Sequence, residues 1–137
     1  MKSSTTILVV DDEDMMRSLL QSILSRDGYQ VLVAANGSAA LEVMRENDVD
    51  LIISDIRMPR MNGFELLKTV KRDYPGTGVI MMTAFGDAYS VKDAMLLGAD
   101  EYITKPFKSY EISMVAERAY WRILSRQRKA AERAEEA

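Results

Sequence analysis

Five short runs rich in β-branched and apolar residues punctuate the chain, at residues 6–10, 30–34, 50–54, 79–82 and 101–104. The first, third and fourth are almost continuously apolar, the pattern of central strands covered on both faces. Between them, apolar residues return at three- and four-residue spacing, the period of a helix with one buried face. Met16, Leu19, Leu20, Ile23 and Leu24 form one such stripe, stopped by Gly28. Ala39, Ala40, Val43 and Met44 form a second, and Phe64, Leu67, Val70 and Lys71 a weaker third. Val91, Ala94, Met95 and Leu97 lead to Gly98, and Ile112, Val115, Ala116, Ala119, Tyr120, Ile123 and Leu124 make the longest stripe. Strand and helix alternating five times predict an α/β fold with a parallel sheet and right-handed crossovers.

The last stretch, residues 125–137, has alanines as its only apolar residues, among four basic and three acidic ones. It has high helix propensity but no face wide enough to dock on a core. The expected organisation is therefore one domain over 1–124, with 125–137 extending the last helix or starting a linker.

Composition removes many functions. The 137 residues contain no histidine and no cysteine, which excludes a Ser-His-Asp triad, a thiol nucleophile and an imidazole or thiolate zinc site. A formal net charge of -3 supplies no cationic field, so nucleic-acid binding by this segment is not expected. No apolar run approaches membrane-spanning length, and the absence of cysteine fits a cytoplasmic location. Chemistry is left to carboxylates, lysine, hydroxyls and a hard cation held by oxygen.

In an open parallel sheet, functional groups gather where strands end. Asp11, Asp12 and Glu13 follow the first strand, Asp55 the third, Thr83 the fourth, and Lys105-Pro106 the fifth. Singly, these are ordinary capping, turn-forming or surface residues. Together, on one sheet edge, they are three carboxylates, a hydroxyl and an ammonium. Carboxylates crowded in this way repel one another unless a cation intervenes, and oxygen-only ligands suit Mg²⁺. Such a site meets the needs of phosphoryl transfer to a carboxylate. Asp55 is the expected nucleophile, Asp12 a direct metal ligand and Asp11 one acting mainly through water or by orienting the site. The backbone carbonyl of Arg57 is a further metal ligand, and Lys105 and Thr83 contact phosphoryl oxygens.

The run Ile7-Leu8-Val9-Val10-Asp11-Asp12-Glu13 resembles the opening of bacterial two-component response-regulator receiver domains. Asp55-Ile56-Arg57-Met58-Pro59-Arg60-Met61-Asn62-Gly63 resembles their phosphorylation loop, and Met82-Thr83-Ala84 and Tyr102-Ile103-Thr104-Lys105-Pro106-Phe107 resemble their two remaining signatures. The resemblance covers about residues 5–124. It implies a flavodoxin-like doubly wound sheet of strand order 2-1-3-4-5 with five helices, and a lysine–proline peptide of the kind often cis. It implies Asp11 and Asp12 as the metal pair, Asp55 as phospho-acceptor, Thr83 and Tyr102 as switch residues, and Lys105 as the phosphate-contacting lysine.

It further implies a signalling switch rather than a conventional enzyme, acting with a sensor histidine kinase or phosphotransfer protein. Its output would be dimerisation or effector contact through the fourth helix, fifth strand and fifth helix, in transcriptional regulation. Tyr120 and Trp121 are candidates for that contact or for covering the core. The segment from Thr83-Ala84-Phe85-Gly86 to Leu97-Gly98-Ala99 most resembles receivers preceding ATPase-type (NtrC-like) transcription activators. Three other readings compete, the last-ranked being flavin binding by a similarly wound fold, for which the chain lacks a hydroxyl- and glycine-rich phosphate loop after the first strand. An aspartyl phosphatase resembles this site but wants a second acid two positions after the nucleophile, where this chain has Arg57. A receiver-shaped interaction module that is never phosphorylated would need no intact acidic pair, acceptor, hydroxyl and lysine.

Overall fold

The computed structural model describes residues 2–59, 61–84 and 88–136, with the side chains of all but 88–90. A short 3-10 turn, Lys2–Ser4, leads into β1 (Thr6–Val10), α1 (Asp14–Arg26), β2 (Gln30–Ala34), α2 (Gly37–Glu46) and β3 (Leu51–Asp55). There follow α3 (Gly63–Asp73), β4 (Gly78–Ala84), α4 (Ala88–Leu96), β5 (Glu101–Lys105) and α5 (Ser109–Glu136). The five strands form one sheet in the order β2-β1-β3-β4-β5, every neighbouring pair parallel. This is the expected doubly wound order, with the three most apolar strands inside.

Alternation along those strands sorts the core into two layers. Ile7, Val9, Leu51, Ile53, Ile80, Met82 and Ile103 face α1 and α5. Leu8, Val10, Ile52, Val79 and Met81 face the other way, toward α2, α3 and Ala94 of α4. The α5 stripe is buried from Ile112 to Ile123, and beyond Ser125 the helix is exposed. Gly28 and Gly98 close α1 and the α4 turn at φ +106° and +97°, values that a side chain resists.

Three details depart from the sequence pattern. Leu19 and Met95, expected in buried stripes, are each 46% exposed, because they lie at the edges of their helical arcs. Leu66, absent from the expected third stripe, is buried beside Leu67. The strand ends also shift: Asp55, Thr83 and Lys105 lie within β3, β4 and β5 rather than after them. Their neighbours extend the ladder, pairing Asp55 with Met82, Thr83 with Thr104 and Ala84 with Lys105. At the other end β3 begins at Leu51, since the Asp50 carboxylate accepts the Thr6 N–H at 2.8 Å.

Candidate functional site

The parallel register delivers the ends of β1, β3, β4 and β5 to one edge of the sheet. Asp11 follows β1 and is fully buried. Its Oδ1 accepts the Glu13 N–H at 2.9 Å, a turn that lifts the chain into α1. Its Oδ2 accepts from Lys105 Nζ at 3.1 Å, and the same ammonium donates to Asp55 Oδ2 at 3.1 Å. One lysine therefore bridges two carboxylates from strands remote in sequence. Asp12 is exposed next to them. Asp11, Asp12 and Asp55 each offer an oxygen lying within 4.8 Å of the others.

Burial alone would push the Lys105 ammonium toward neutrality. Its hydrogen bonds and charge pairing with Asp11 and Asp55 outweigh that and hold its pKa above the ordinary lysine value. Lys105 thus stays charged across the physiological range. Three carboxylates against one ammonium leave the pocket with an excess of negative charge. The donor set is all oxygen, with no histidine or cysteine anywhere in the chain. Its chemistry fits a hard divalent cation such as Mg²⁺ rather than a softer metal.

Thr83 sits one residue beyond the register partner of Asp55. It is 1% exposed, and its Oγ1 finds no hydrogen-bond partner among the described residues. A buried hydroxyl without a partner is costly, so a ligand oxygen arriving here would find a donor waiting. The Lys105–Pro106 peptide is cis. Tyr102, three residues before Lys105 on the edge strand β5, is 43% exposed.

The loop after Asp55 is shaped locally. Arg57 N–H reaches Asp55 Oδ1 at 3.3 Å, and the Arg57 side chain faces outward. Asn62 caps α3 by accepting the Glu65 N–H at 3.0 Å, as its type suggests. Gly63 brings the chain back against β3, its N–H donating to Ile56 O at 2.8 Å. A Cβ at Gly63 would lie 2.4 Å from the Asp55 carbonyl oxygen, so this close approach needs glycine. Arg60 of the loop motif, and Phe85 and Gly86 of the subfamily segment, lie outside the described residues.

The structure thus brings Asp11, Asp12, Asp55 and Lys105 together and sets Thr83 on the adjoining strand. Gly63 belongs to the loop motif read from the sequence. One contributor was missed, Arg17, although it carries a signal as a cation in the first turn of α1, where the helix dipole disfavours positive charge. Its Nη1 donates to the Asp11 carbonyl at 2.6 Å, and its Nη2 pairs with Asp14.

Residues 7–117 match the family model described as the response regulator receiver domain. The regulatory protein AtoC of Escherichia coli is 35% identical over 119 residues, covering 87% of this chain and 26% of AtoC. The transcriptional regulatory protein CpxR of the same organism is 37% identical over 119 residues, covering 84% of this chain and 50% of CpxR. Among solved structures, NtrX of Brucella abortus superimposes with a TM-score of 0.89 at 32% identity, covering 93% of this chain and 29% of NtrX. The isolated receiver domain of NtrX gives 0.80 at 36% identity, covering 82% of this chain and 96% of that one. These relatives include NtrC-like and OmpR-like regulators. The chain spans about a quarter to a half of the length of these curated relatives.

Proposed function

The chain belongs to the response regulator receiver domain family, and from that premise we propose that it is a phosphorylatable switch whose Asp55 accepts a phosphoryl group from a phosphohistidine on another protein. An Asp55 carboxylate oxygen attacks phosphorus in line as the phosphorus–nitrogen bond to the donor imidazole breaks. The imidazole nitrogen leaves with the bond's electron pair and takes up a proton, and Asp55 carries an acyl phosphate.

The observation that carries this reading is the single Lys105 ammonium 3.1 Å from both Asp11 and Asp55. It neutralises part of a charge that would otherwise repel an incoming phosphoryl group, and it is within reach of that group's oxygens. Asp12 directly, Asp11 through water or by orientation, Asp55 and the Arg57 carbonyl would hold Mg²⁺. When bound, the ion offsets the charge spread over the phosphoryl oxygens. The Thr83 hydroxyl, buried and without a partner among the described residues, donates to one of those oxygens. Its movement, with that of Tyr102, is the switching step.

The phosphodonor is a sensor histidine kinase or phosphotransfer protein, and the setting is cytoplasmic. Among the described residues no helix is long and apolar enough to cross a membrane. Met15 and Leu19, 85% and 46% exposed on the first turns of α1, give such a donor an apolar seat beside the acidic pocket. Output runs through α4, β5 and α5, where Leu96, Tyr102, Tyr110, Met114 and Trp121 are exposed. A second copy of the chain covers that face when Asp55 is phosphorylated, and a longer regulator carrying this domain acts on transcription.

The test is incubation with Mg²⁺ and a small phosphodonor such as phosphoramidate, read by intact-mass spectrometry. One phosphoryl adduct is expected on the wild-type chain and none on Asp55→Asn. No adduct on the wild type, or an equal one on the variant, refutes the assignment. Light scattering with and without the donor reads the accompanying dimerisation.

A further inference from the structure

Asp12 is the exposed member of the acidic trio, and nothing about a surface loop by itself keeps a carboxylate beside two others that repel it. Among the described residues the usual fastening of such a loop, a side-chain cap, is missing. Glu13, at the N-cap of α1, makes no side-chain capping hydrogen bond. Asp11 Oδ1 holds the Glu13 N–H, which closes a turn around the Asp11–Asp12 peptide but does not grip that peptide's carbonyl oxygen.

Arg17 does reach it. Its Nη1 donates to the Asp11 carbonyl at 2.6 Å while its Nη2 pairs with Asp14. The carbonyl of Asp11 and the N–H of Asp12 share one rigid plane, so gripping that oxygen fixes the plane from which Asp12 departs. Asp14 is the other end of the same loop. One planar guanidinium, its side chain 18% exposed, thus clasps both ends of the segment bearing Asp12, a geometry that suits a fork of fixed shape. A cation would not otherwise be favoured in the first turn of a helix, so these contacts account for its position.

Building on the Mg²⁺ site proposed above, we propose that Arg17 is a positioning residue for that site, holding the 11–14 loop closed so that Asp12 already stands beside Asp11 and Asp55 when the ion arrives. Arg17 touches neither the ion nor the phosphoryl group. Its effect is to remove the ordering that the ion would otherwise have to impose. The Asp14 contact contributes less than the Asp11 contact, because the Asp14 side chain is 91% exposed and its ion pair is screened by water.

The experiment is a Mg²⁺ titration of the unphosphorylated full chain, followed by the amide resonances of Asp12 and Glu13. Thermal melts in EDTA check the fold of each variant. Arg17→Ala is expected to raise the Mg²⁺ midpoint about tenfold, the size found when groups supporting metal ligands are removed. It should also broaden the Asp12 amide resonance in EDTA as the loop samples open forms. Arg17→Lys restores the charge but cannot clasp both ends, so it should recover less than half of the loss on a logarithmic scale. Asp14→Asn, a change at an exposed position with little risk to folding, should raise the midpoint by about threefold or less.

A midpoint for Arg17→Ala within about twofold of wild type overturns the proposal, and so does full recovery by Arg17→Lys, which would leave only a charge effect. A wild-type chain that ignores Mg²⁺ is a different failure, since it removes the metal site itself.

Discussion

Replacing Lys105 by methionine keeps the unbranched stem of the side chain and deletes its charge. The ammonium lies 3.1 Å from an oxygen of Asp11 and 3.1 Å from one of Asp55. At an effective dielectric of about 20, each attraction is about 5 kcal/mol before desolvation is subtracted. What remains after the substitution is the repulsion between the two acids. Their ligand oxygens are no more than 4.8 Å apart, which at the same dielectric costs at least about 3 kcal/mol. Removing one partner from a buried ion cluster has a cost of that same order. Lys105→Met should therefore lower the unfolding free energy in EDTA at neutral pH by about 3 kcal/mol, measured by urea denaturation. At the proposed metal site Mg²⁺ would replace the missing charge, with no ammonium competing for Asp11 and Asp55. Saturating Mg²⁺ should accordingly stabilise the variant more than the wild type and recover at least half of the deficit. A variant as stable as wild type in EDTA, or a deficit that Mg²⁺ leaves untouched, refutes this electrostatic account of the pocket.

Two glycines separate a rigid obstacle from a yielding one. A Cβ at Gly63 meets the Asp55 carbonyl at 2.4 Å and the Ile56 Cα at 2.7 Å, both backbone atoms, so Gly63→Ala should cost about 2–3 kcal/mol and weaken Mg²⁺ binding by displacing Asp55. At Gly37 the obstacle is the flexible Met61 side chain, Sδ at 2.6 Å, so Gly37→Ala should cost about 1 kcal/mol or less, and the reverse order in urea denaturation would contradict the reasoning. Tyr29 is buried with a hydroxyl lacking a partner among the described residues. Burial, then the charges of Glu117 and Asp27, push its pKa up from 10.0 to about 12. Between those values the unfolded chain has lost the proton that the folded chain retains, so stability falls as pH climbs through that interval, by up to about 3 kcal/mol. Lys105 adds a loss of the same sign, since its raised pKa gives a contribution present below the ordinary lysine value and lost above it. Tyr29→Phe should match or slightly exceed wild-type stability at neutral pH and show only the lysine part of the alkaline loss; an unchanged alkaline slope would rule out the tyrosine.

The sheet was legible because its evidence is local and redundant. Residues 7–10 and 51–53 are apolar at every position, which only a strand buried on both faces requires. The strand ends were not legible to the residue, because pairing across the ladder decides them. Asp55 and Lys105 are strand residues because Met82 and Ala84 lie alongside to pair with them. Leu19 and Leu66 exchanged their expected environments for a similar reason: an apolar residue at the edge of a helical arc is buried or bare according to what the neighbouring element covers. The acidic pocket could be anticipated as a set, since each member marks the end of a strand. The bond from Lys105 to Asp11, which joins residues 94 apart in sequence, follows only from strand order. Arg17 was missed although its charge in the first turn of a helix marks it, because its role depends on a distant backbone carbonyl, and the close approach that demands Gly63, already part of the loop motif, shows only in the structure.

A switch needs an interaction that differs between its two states, since a ligand bound equally in both shifts nothing. The carboxylates and Lys105 are already engaged with one another in the unphosphorylated pocket, so their contacts change partner more than they change number. The Thr83 hydroxyl is different: it is buried and makes no hydrogen bond among the described residues. On the proposed reading, a phosphoryl oxygen on Asp55 would supply the acceptor it lacks. Recovering the cost of one unsatisfied buried donor is worth about 1–3 kcal/mol, which corresponds to a shift of roughly 5- to 150-fold between two arrangements. Such a shift is large enough to change which face of α4, β5 and α5 predominates, yet small beside the stability of a domain of this size, so the fold survives the change of state. On that reading the unsatisfied hydroxyl is well placed, near the end of a central strand beside the one that carries Asp55 and paired through the sheet with the edge strand that carries Tyr102.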